Sequence, residues 1–439
     1  MNHSDLAKAL SFVAGQNVFV KCQPEVLDFT DPATIPELQI FYQGGDITLA
    51  LSAETLPIIL PMLRLSILSK GRKVVAWNWK NFVSYALAKT GKPYSVEGAI
   101  VDLKIIESYS GRKLKVPKTL VEAFNRLKDL ITTGIWKEVE SVYKKLHLPL
   151  ITTVVPHLET TGILDTVLGN RVHAYYEIDG QENGRLKCHG AYKQGFVPHA
   201  MKPETRQTLK PRAQNELFML FDYKGQEVFM LAWLSKDPLL QELCKEPDVY
   251  SALFEKLVGK KCETKNDREM AKKFFLPVIY GQQAYALSQR CGVAIDVAEK
   301  IVERIDALFP AALAFIEGYQ RQLQELGYAK DIFGKRRYSF EEGREFSVRN
   351  FAIQSPSAVV CLEKLTHLYF ALKDKTDLAY TVHDGYVAYA TKENWKTIYR
   401  IAYDVLSGES NFCPGLRLRV TCRAGRNLDD LKSLARKGD

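Results

Sequence analysis

Residues 268–281 read REMAKKFFLPVIYG, and this stretch carries the most specific pattern in the chain. Arg268, Lys272, Leu276 and Tyr280 recur at every fourth position, a spacing that places side chains along one face of a helix. Two cations one turn apart can bind two phosphates of a polyphosphate, and a ring further along can stack on a base. Taken alone, the stretch favours the simpler interpretation, the solvated basic face of an amphipathic helix.

Two further stretches, one before and one after this helix, each contain an acid. Residues 217–235 read LFMLFDYKGQEVFMLAWLS, in which an apolar run predicts a buried strand with Asp222 at its tip. Residues 378–390 read LAYTVHDGYVAYA, which predicts two apolar strands joined by a hairpin turn at Asp384 and Gly385. Taken alone, Asp384 is interpreted as a residue of the hairpin turn with no further function. A carboxylate on a rigid strand end, such as Asp222, is a good metal ligand, so these two stretches change the weighing of the helix between them.

The composition sets wider limits on the class of protein. A chain of 439 residues predicts two to four domains, and its net charge of +9 is compatible with a polyanionic partner. The 8 cysteines form no CxxC pair, which argues against a zinc site or a disulfide framework and predicts a cytoplasmic location. No signal peptide, long apolar run or lipidation motif is present, so no membrane partner is expected.

The three stretches resemble motifs A, B and C of the family A DNA polymerases, in the family's order and at its intervals. A fourth stretch, residues 327–338 (GYAKDIFGKRRY), resembles the family's GYVETLFGRRRY. The resemblance runs from about residue 120 to the end of the chain, and four ordered motifs are far more specific than one. It implies a DNA-dependent DNA polymerase that extends a primer with dNTPs.

The resemblance implies a multi-domain α/β (α+β) fold, the palm, fingers and thumb of a right-hand polymerase behind an N-terminal RNase H-like exonuclease domain. The predicted domains are the exonuclease-like domain at 1–115, a reduced thumb at 116–165, the first part of the palm at 166–234, the fingers at 235–330 and the second part of the palm at 331–439. Residues 143–156 align with the end of the family thumb, whereas residues 148–165 align with the segment before it, and both alignments stay open. The basic residues of 116–160 fit a solvated helix pair or a DNA clamp equally well.

The exonuclease-like domain is predicted to be degenerate. That nuclease chemistry needs carboxylates clustered around two metal ions. The family supplies a DxE on the first strand, where Asp46 here has no Glu two residues on, and Asn81 and Phe82 stand where a further acid is expected. Asp102 is the one acid of the set that remains, so a domain kept for stability and docking is the favoured interpretation.

The resemblance assigns the catalytic and nucleotide-binding residues. Asp222 and Asp384 would hold two magnesium ions, with manganese as a substitute and the backbone carbonyl of Tyr223 as a further ligand. Lys272 would also protonate the leaving pyrophosphate. Glu227 corresponds to the family's steric-gate glutamate, which crowds a ribose 2′-hydroxyl. The full nucleotide-binding set is Arg268, Lys272, Leu276, Tyr280, Glu227 and Tyr250, where Tyr250 replaces a family histidine.

The primer–template contacts are assigned in the same way, to Arg185, Asn350, Gln354, His383 and Arg336. Arg185 belongs to a block at residues 171–186 that resembles the family's RxH…TGRLSS. Residues 350–358 (NFAIQSPSA) open a predicted helix and resemble the family's NMPVQGTAA. Contacts to phosphates and groove edges of this kind position DNA without reading its sequence.

Several positions depart from the family motifs. Leu276 stands where the family has Phe or Tyr, and Pro277 where it usually has Gly, so a kink that rotates Phe275 into the site is the alternative. Phe229 replaces an arginine, and Gly385 replaces a glutamate. Because both metal-binding acids are intact, activity is still expected.

The predicted function is primer extension in the replication of a phage or plasmid genome, with a processivity factor or another replisome protein as a partner. Two alternatives stay open. A single-subunit RNA polymerase shares the palm and motif B, but Glu227 in its DYxxxE context argues against it. A catalytically idle DNA-binding replication protein is disfavoured by the intact pair Asp222 and Asp384.

Overall fold

The computed structural model describes residues 10, 16–23, 31, 33–66, 73–94, 99–111, 115–189, 195–338 and 347–434. These residues fall into two compact units. The first draws on Met1–Phe221, Leu362–Val405 and Cys422–Asp439, and the second on Asp222–Cys361 and Leu406–Thr421. The five predicted domain ranges stay predictions. No helix in the described part of the chain combines the length and apolarity that crossing a bilayer requires.

The first unit begins with a five-stranded sheet. Its strands are β1 (Val18–Gln23), β2 (Glu37–Tyr42), β3 (Gly45–Ala50), β4 (Lys73–Trp77) and β5 (Ala99–Asp102), accompanied by helices α1 (Leu56–Ser66), α2 (Trp79–Thr90) and α3 (Leu103–Ser108). The strand order is β3-β2-β1-β4-β5, antiparallel from β1 to β3 and parallel from β1 to β5. This order agrees with the predicted RNase H-like domain. The short apolar runs at β4 and β5 are where the sequence predicts strands.

Asp46 does not lie on the first strand of the sheet. The first strand of the sheet is β1, which carries Lys21 and Gln23, whereas Asp46 lies in β3. Strand β1 contains no acid, so no DxE pair is present on the first strand. Asn81 and Phe82 lie inside α2 and are buried. These positions support the prediction of a degenerate site.

The next helices pack on that sheet domain. They are α4 (Leu120–Thr132), α5 (Ile135–Val142), two π-helical turns at Tyr143–His147 and Leu150–Val154, and α6 (Val155–Thr161). The Arg126 guanidinium lies 2.7 Å from Glu107, and the Tyr143 hydroxyl donates to the carbonyl of Ile100 at 3.0 Å. Lys128 and Lys144 are exposed on the outer side of these helices. Both interpretations of the basic segment therefore stay open, but its inner side is committed to the N-terminal domain.

Small strands and hairpins lead into the central sheet. They comprise β6 (Ile163–Asp165), β7 (Asn170–Val172), β8 (Tyr175–Glu177), β9 (Lys187–His189), a 3-10 turn at Pro198–Ala200, α7 (Pro203–Thr208), β10 (Leu209–Lys210) and β11 (Glu216–Lys224). Strands β10, β6 and β7 form one sheet in that order, and β8 pairs with β9 in an antiparallel hairpin.

The second unit is mostly helical. Its elements are α8 (Gln226–Ser235), α9 (Pro238–Leu243), α10 (Val249–Val258), α11 (Lys265–Ile279), α12 (Ala284–Cys291), α13 (Ile295–Leu308), α14 (Pro310–Leu326), β12 (Ala329–Lys330), β13 (Arg336–Arg337) and the first part of α15 (Ser347–Leu372). The break between α13 and α14 falls at Phe309, as the Phe-Pro pair predicts. A capping box begins α11, because Thr264 and Asp267 accept each other's backbone N–H groups.

The chain closes with β14 (Leu378–Val382), β15 (Gly385–Thr391), α16 (Trp395–Ser407), β16 (Arg419–Gly425) and β17 (Lys432–Leu434). The central sheet has the order β14-β15-β11-β16-β17. Six successive residues of β15, from Gly385 to Ala390, are buried. Such a continuous apolar run marks a strand that is covered on both faces.

Candidate active site

Three residues predicted to bind the nucleotide lie along one face of α11. Arg268, Lys272 and Leu276 are partly exposed along it, and the partly exposed Tyr280 follows directly after the last helical residue. Phe275 is instead fully buried, with its ring 5.1 Å from that of Phe309. The alternative that Phe275 turns into the site is therefore disfavoured.

Pro277 lies inside this helix without ending it. Because proline has no N–H, the carbonyl of Lys273 loses its intrahelical donor. The Cys291 thiol lies 3.9 Å from that carbonyl, and the Pro277 carbonyl accepts from the Gln282 N–H at 2.9 Å. The helix thus keeps its register as far as Ile279.

The two cations of the face are already held by acids. Arg268 forms a fork with Asp248, with Nε 2.8 Å from Oδ2 and Nη2 2.9 Å from Oδ1. Although burial raises it, hydrogen bonds from Arg268 and Ser251 hold the pKa of Asp248 below its ordinary value. Lys272 lies 3.0 Å from Glu269. The fork occupies one edge of the guanidinium, and Nη1 on the other side lies 3.4 Å from Glu269, so the orientation of the group is set.

The ring of Tyr250 lies beneath both cations. Its centroid is 5.2 Å from the Arg268 guanidinium and 5.3 Å from the Lys272 ammonium. Tyr250 is 6% exposed. Two cations over one aromatic face are attracted to the ring quadrupole, which reduces the cost of keeping them close together. The predicted nucleotide-binding Tyr250 is therefore placed to support the two cations.

Glu227 is joined to two other predicted site residues. Its carboxylate accepts from the Tyr280 hydroxyl at 2.5 Å and from the Gln354 amide at 3.3 Å. Gly225 precedes the helix with a φ of +68°, and a Cβ there would lie 2.9 Å from Val249. Only glycine fits this turn easily, and the turn sets the start of α8 and hence the position of Glu227.

Asp222 lies within β11 and not at its tip, because the strand continues to Lys224. The prediction of a terminal position was wrong because Tyr223 extends the strand, with its buried hydroxyl donating to the carbonyl of Leu406 at 3.0 Å. The Asp222 side chain is partly exposed, and its carbonyl accepts from the Thr421 hydroxyl at 3.1 Å. Asp222 thus has a fixed backbone and a carboxylate that is accessible from one side.

The turn containing Asp384 differs from the predicted one. Val382 pairs with Gly385, so the two loop residues are His383 and Asp384, and Gly385 already belongs to β15. His383 has a φ of 49°, a conformation that is uncommon outside glycine. The Asp-Gly rule named the wrong central pair because it ignores the strand register. The His383 ring stacks on His199 at 5.6 Å.

The hairpin around Asp384 is held from behind. The buried Tyr176 hydroxyl donates to the Thr381 carbonyl at 2.9 Å and accepts from the Thr381 N–H at 3.0 Å. Tyr389 donates to the carbonyl of Gly162 at 2.6 Å. These contacts fix the strands on either side of the turn that contains Asp384.

The predicted DNA-binding residues lie on several elements. Asn350 and Gln354 are one turn apart on α15, so both project from the same side of that helix. Arg336 begins β13, and its guanidinium lies 4.9 Å from the Tyr328 ring. Arg185 lies in the loop between β8 and β9. Arg185, His383 and Asp384 belong to the first unit, whereas Arg336, Asn350 and Gln354 belong to the second.

Sequence reasoning missed several residues that contact the predicted ones. Asp248, two residues before the predicted Tyr250, forms the fork with Arg268, and no local pattern predicts that partnership. No local sequence pattern predicts the contact of Thr421 with Asp222 or that of His199 with His383. Arg419 lies 5.6 Å over the ring of Phe229. The one signal in the sequence for Asp248 was the acid itself, two residues before the predicted Tyr250.

Comparisons with known proteins show the family of the chain. The model of one protein family, described as DNA polymerase family A, matches residues 112–430. The chain is 24% identical over 330 residues to DNA polymerase I of Chloroflexus aurantiacus, covering 70% of this chain and 34% of that protein. It is 24% identical over 283 residues to the thermostable DNA polymerase I of Thermus aquaticus, covering 59% of this chain and 34% of that protein. The chain therefore spans about a third of the length of these curated relatives.

A solved structure resembles the whole chain. It is the POL domain of Pol1 from M. smegmatis in complex with DNA primer-template and dNTP, with a TM-score of 0.74 and 15% identity. The likeness covers 98% of this chain and 99% of that one. At that identity it bears on the fold alone, and it confirms the predicted multi-domain α/β polymerase fold.

Proposed function

The chain belongs to DNA polymerase family A, and we propose that it extends the 3′ end of a DNA primer along a template by adding deoxynucleotides. The observation that carries the proposal is the face of α11. Arg268, Lys272 and Leu276 are partly exposed on it, while Phe275 is in the core. A face that joins two cations to an apolar side chain and an aromatic ring suits a nucleoside triphosphate.

The cations bind the triphosphate in this proposal. Arg268 offers the donors that its fork with Asp248 leaves over, and Lys272 acts as a point charge. Lys272 also donates a proton to the leaving pyrophosphate. Both groups act where negative charge accumulates as the bond to the leaving group breaks. Asp248 and Glu269 balance the two positive charges before the substrate arrives.

Asp222 and Asp384 are the proposed metal ligands, together with the backbone carbonyl of Tyr223. The donor set fits: carboxylate and carbonyl oxygens are the ligands that magnesium prefers, and manganese accepts the same set. β15, which follows Asp384, is the sheet neighbour of β11, which contains Asp222. When bound, the two ions would neutralise charge on the primer oxygen and the triphosphate. Within the described ranges no group of three or more acidic, histidine or cysteine side chains could hold a metal ion, so the proposal depends on this pair.

Glu227 selects the sugar of the nucleotide. Its two hydrogen bonds, to Tyr280 and Gln354, hold the carboxylate in one place. A fixed carboxylate beside C2′ leaves no room for a ribose hydroxyl. Tyr280 stacks in the template or insertion site, and Leu276 offers the sugar or base an apolar contact only.

The primer–template contacts fall to Arg185, Arg336, Asn350, Gln354 and His383 in this proposal. Arginine suits phosphate and groove edges because its fork makes two hydrogen bonds at once. The amides of Asn350 and Gln354 can both donate and accept at minor-groove base edges. Replication of a phage or plasmid genome, a processivity partner and a cytoplasmic location stay predictions.

Primer extension on a gel tests the proposal. The purified protein is given a primed template, magnesium and either dNTPs or rNTPs, and extension with dNTPs is expected. Asp222→Asn and Asp384→Asn should each abolish extension while the Kd for primer–template stays nearly unchanged, because these acids hold metal and not DNA. Preference for rNTPs would favour an RNA polymerase, and equal activity of either variant and wild type would remove the metal assignment.

A further inference from the structure

The loop that carries Arg185 is braced by its own hydrogen bonds. It joins β8 to β9, whose register pairs Glu177 with Lys187. The Gln181 amide donates to the carbonyl of Leu186 at 2.9 Å, and the Arg185 N–H donates to the Asn183 side chain at 3.2 Å. The shape of the loop is therefore set locally, but its position depends on what holds the base of the hairpin.

Two carboxylates at that base are held by one face of α3. The Lys104 ammonium lies 2.7 Å from Glu177, and the Ser108 hydroxyl donates to Asp179 at 3.1 Å. Lys104 and Ser108 are four residues apart, so they project from the same face of the helix. A short helix of the N-terminal domain thus holds two points of the Arg185 hairpin.

The contacts are shielded from water. The side chains of Lys104, Glu177 and Asp179 are 15%, 26% and 4% exposed. His189 also contacts Glu177, at 3.2 Å, and a hydrogen bond from its ring lowers the pKa of the Glu177 carboxyl to about 2. Removing one partner of a shielded ion pair leaves a charge without compensation, which costs far more than losing a surface pair.

Gly180 makes this arrangement sterically allowed. A Cβ at Gly180 would lie 2.7 Å from the Cβ of Lys187 and 2.9 Å from the Cγ of Glu177. The Glu177 side chain therefore needs the space that glycine leaves in order to reach Lys104. The loop sequence is adapted to the ion pair.

Lys104 lies at one edge of the sheet in the N-terminal domain. Lys104 comes two residues after the end of β5, and its ammonium also lies 3.2 Å from the side-chain oxygen of Asn78, which follows β4. The carboxyl ends of neighbouring parallel strands meet at one edge of the sheet. A two-metal nuclease would need acids and bound cations at such a site. Here the ammonium group of Lys104 lies at this edge of the sheet and binds Glu177.

We propose that the N-terminal domain acts as a clamp that positions the Arg185 loop on primer–template DNA, with Lys104 as the positioning residue. The inference rests on the proposed polymerase function. Arg185 makes the contact, and Lys104 acts only through it.

Binding of a fluorescent primer–template, followed by anisotropy, tests the clamp. Lys104→Met keeps most of the aliphatic stem and removes the charge, and Lys104→Arg restores the charge. We expect Arg185→Ala to raise the Kd about tenfold, because one charge-assisted contact is lost. Lys104→Met should raise it by roughly three- to tenfold through the same contact, while kcat at saturating DNA and the KM for dNTP stay at wild-type values. Lys104→Arg should return the Kd to near wild type.

A double-mutant cycle separates the clamp from a general loss of structure. In the Arg185→Ala background, Lys104→Met should change the Kd no further. Lys300→Met is the matched control, because Lys300 pairs with Asp296 on the surface of α13, is 72% exposed and belongs to no predicted DNA contact. Should Lys104→Met fold poorly, Glu177→Gln removes the other charge of the pair and is expected to show the same pattern.

The outcomes that would overturn the clamp are distinct from those that would overturn the polymerase assignment. An unchanged Kd for Lys104→Met, or an undiminished effect in the Arg185→Ala background, refutes the clamp while leaving the polymerase proposal intact. An unchanged Kd for Arg185→Ala refutes both the Arg185 contact and the clamp. Absence of primer extension by the wild-type protein refutes the polymerase function itself.

Discussion

The Asp102 carboxyl group is expected to make the N-terminal domain less stable as the pH rises. It is fully buried at the end of β5, where it accepts from the Trp79 N–H at 2.9 Å and from the Lys104 N–H at 3.1 Å. Burial raises its pKa from 3.8 to about 6, even though these hydrogen bonds act in the opposite direction. Asp102 was the one acid left from the predicted nuclease set, and its contacts are those of a structural cap.

The magnitude follows from that change in pKa. The difference between 3.8 and about 6 corresponds to about 3 kcal/mol in the free energy of unfolding. Between these values the folded protein keeps the proton, whereas the unfolded chain releases it. Because the folded state binds more protons in this window, stability is fully present below pH 3.8 and falls as the pH rises through about 6.

Denaturant unfolding followed by tryptophan fluorescence measures the effect. Trp77 at the end of β4 and Trp79 at the start of α2 belong to the same domain as Asp102, and the Trp79 N–H donates to its carboxyl group. Wild type and Asp102→Asn are compared between about pH 3 and pH 7. The variant loses one hydrogen bond at every pH, which shifts its stability by a constant amount. The difference between the two proteins should therefore change by about 3 kcal/mol over the range, with wild type relatively more stable at the acid end.

A difference that stays constant with pH, or that grows in favour of wild type towards neutral pH, would refute the reasoning. Adding magnesium supplies a second arm. A metal ligand would stabilise the domain in a magnesium-dependent way that Asp102→Asn abolishes. We expect no such stabilisation at this site.

Three further predictions concern the enzyme. Glu227→Ala should raise the rate of rNTP relative to dNTP incorporation, because the carboxylate held by Tyr280 is removed; an unchanged ratio in single-nucleotide assays would place the gate elsewhere. Leu276→Tyr should reduce discrimination against dideoxynucleotides by roughly 5- to 150-fold, the range of one ring contact. Phe275→Tyr is its matched control, and a shift there instead would mean that the register of α11 is wrong. The protein should not shorten a mismatched primer from its 3′ end; shortening of single-stranded DNA that survives Asp222→Asn would contradict this.

Local patterns in the sequence predicted the helices and strands that carry the motifs. The four-residue spacing on α11 predicted which side chains share one face of the helix, because helix geometry alone relates those positions. The apolar runs at β14 and β15 identified strands because a short continuous apolar run is typical of a strand covered on both faces. Gly225 lies at a turn that needs a positive φ, and this turn places Glu227 in the first turn of α8. The break between α13 and α14 lies directly before Pro310, because a proline is tolerated at the start of a helix but disfavoured inside it.

Contacts between distant segments could not be predicted in this way. The fork between Arg268 and Asp248 joins two helices, and Tyr176 reaches Thr381 across 205 positions of sequence. No local pattern encodes such partners. The sequence did not predict His383 and Asp384 as the two loop residues, because the register of the strands decides which residues form the turn. It did not identify β1 as the first strand, because β1 carries no acid that would mark it.

The order of the central sheet has a consequence for how the chain is made. β11 is complete at Lys224, but its neighbours β15 and β16 begin only at Gly385 and Arg419. At the usual 5–20 residues per second, the 161 positions from Lys224 to Gly385 (385 − 224) take roughly 8–30 s to synthesise. During that time the apolar strand ELFMLFDYK leaves the ribosome with neither sheet partner. We therefore expect the nascent chain to depend on holding chaperones, and slower growth at low temperature to raise the yield of folded protein.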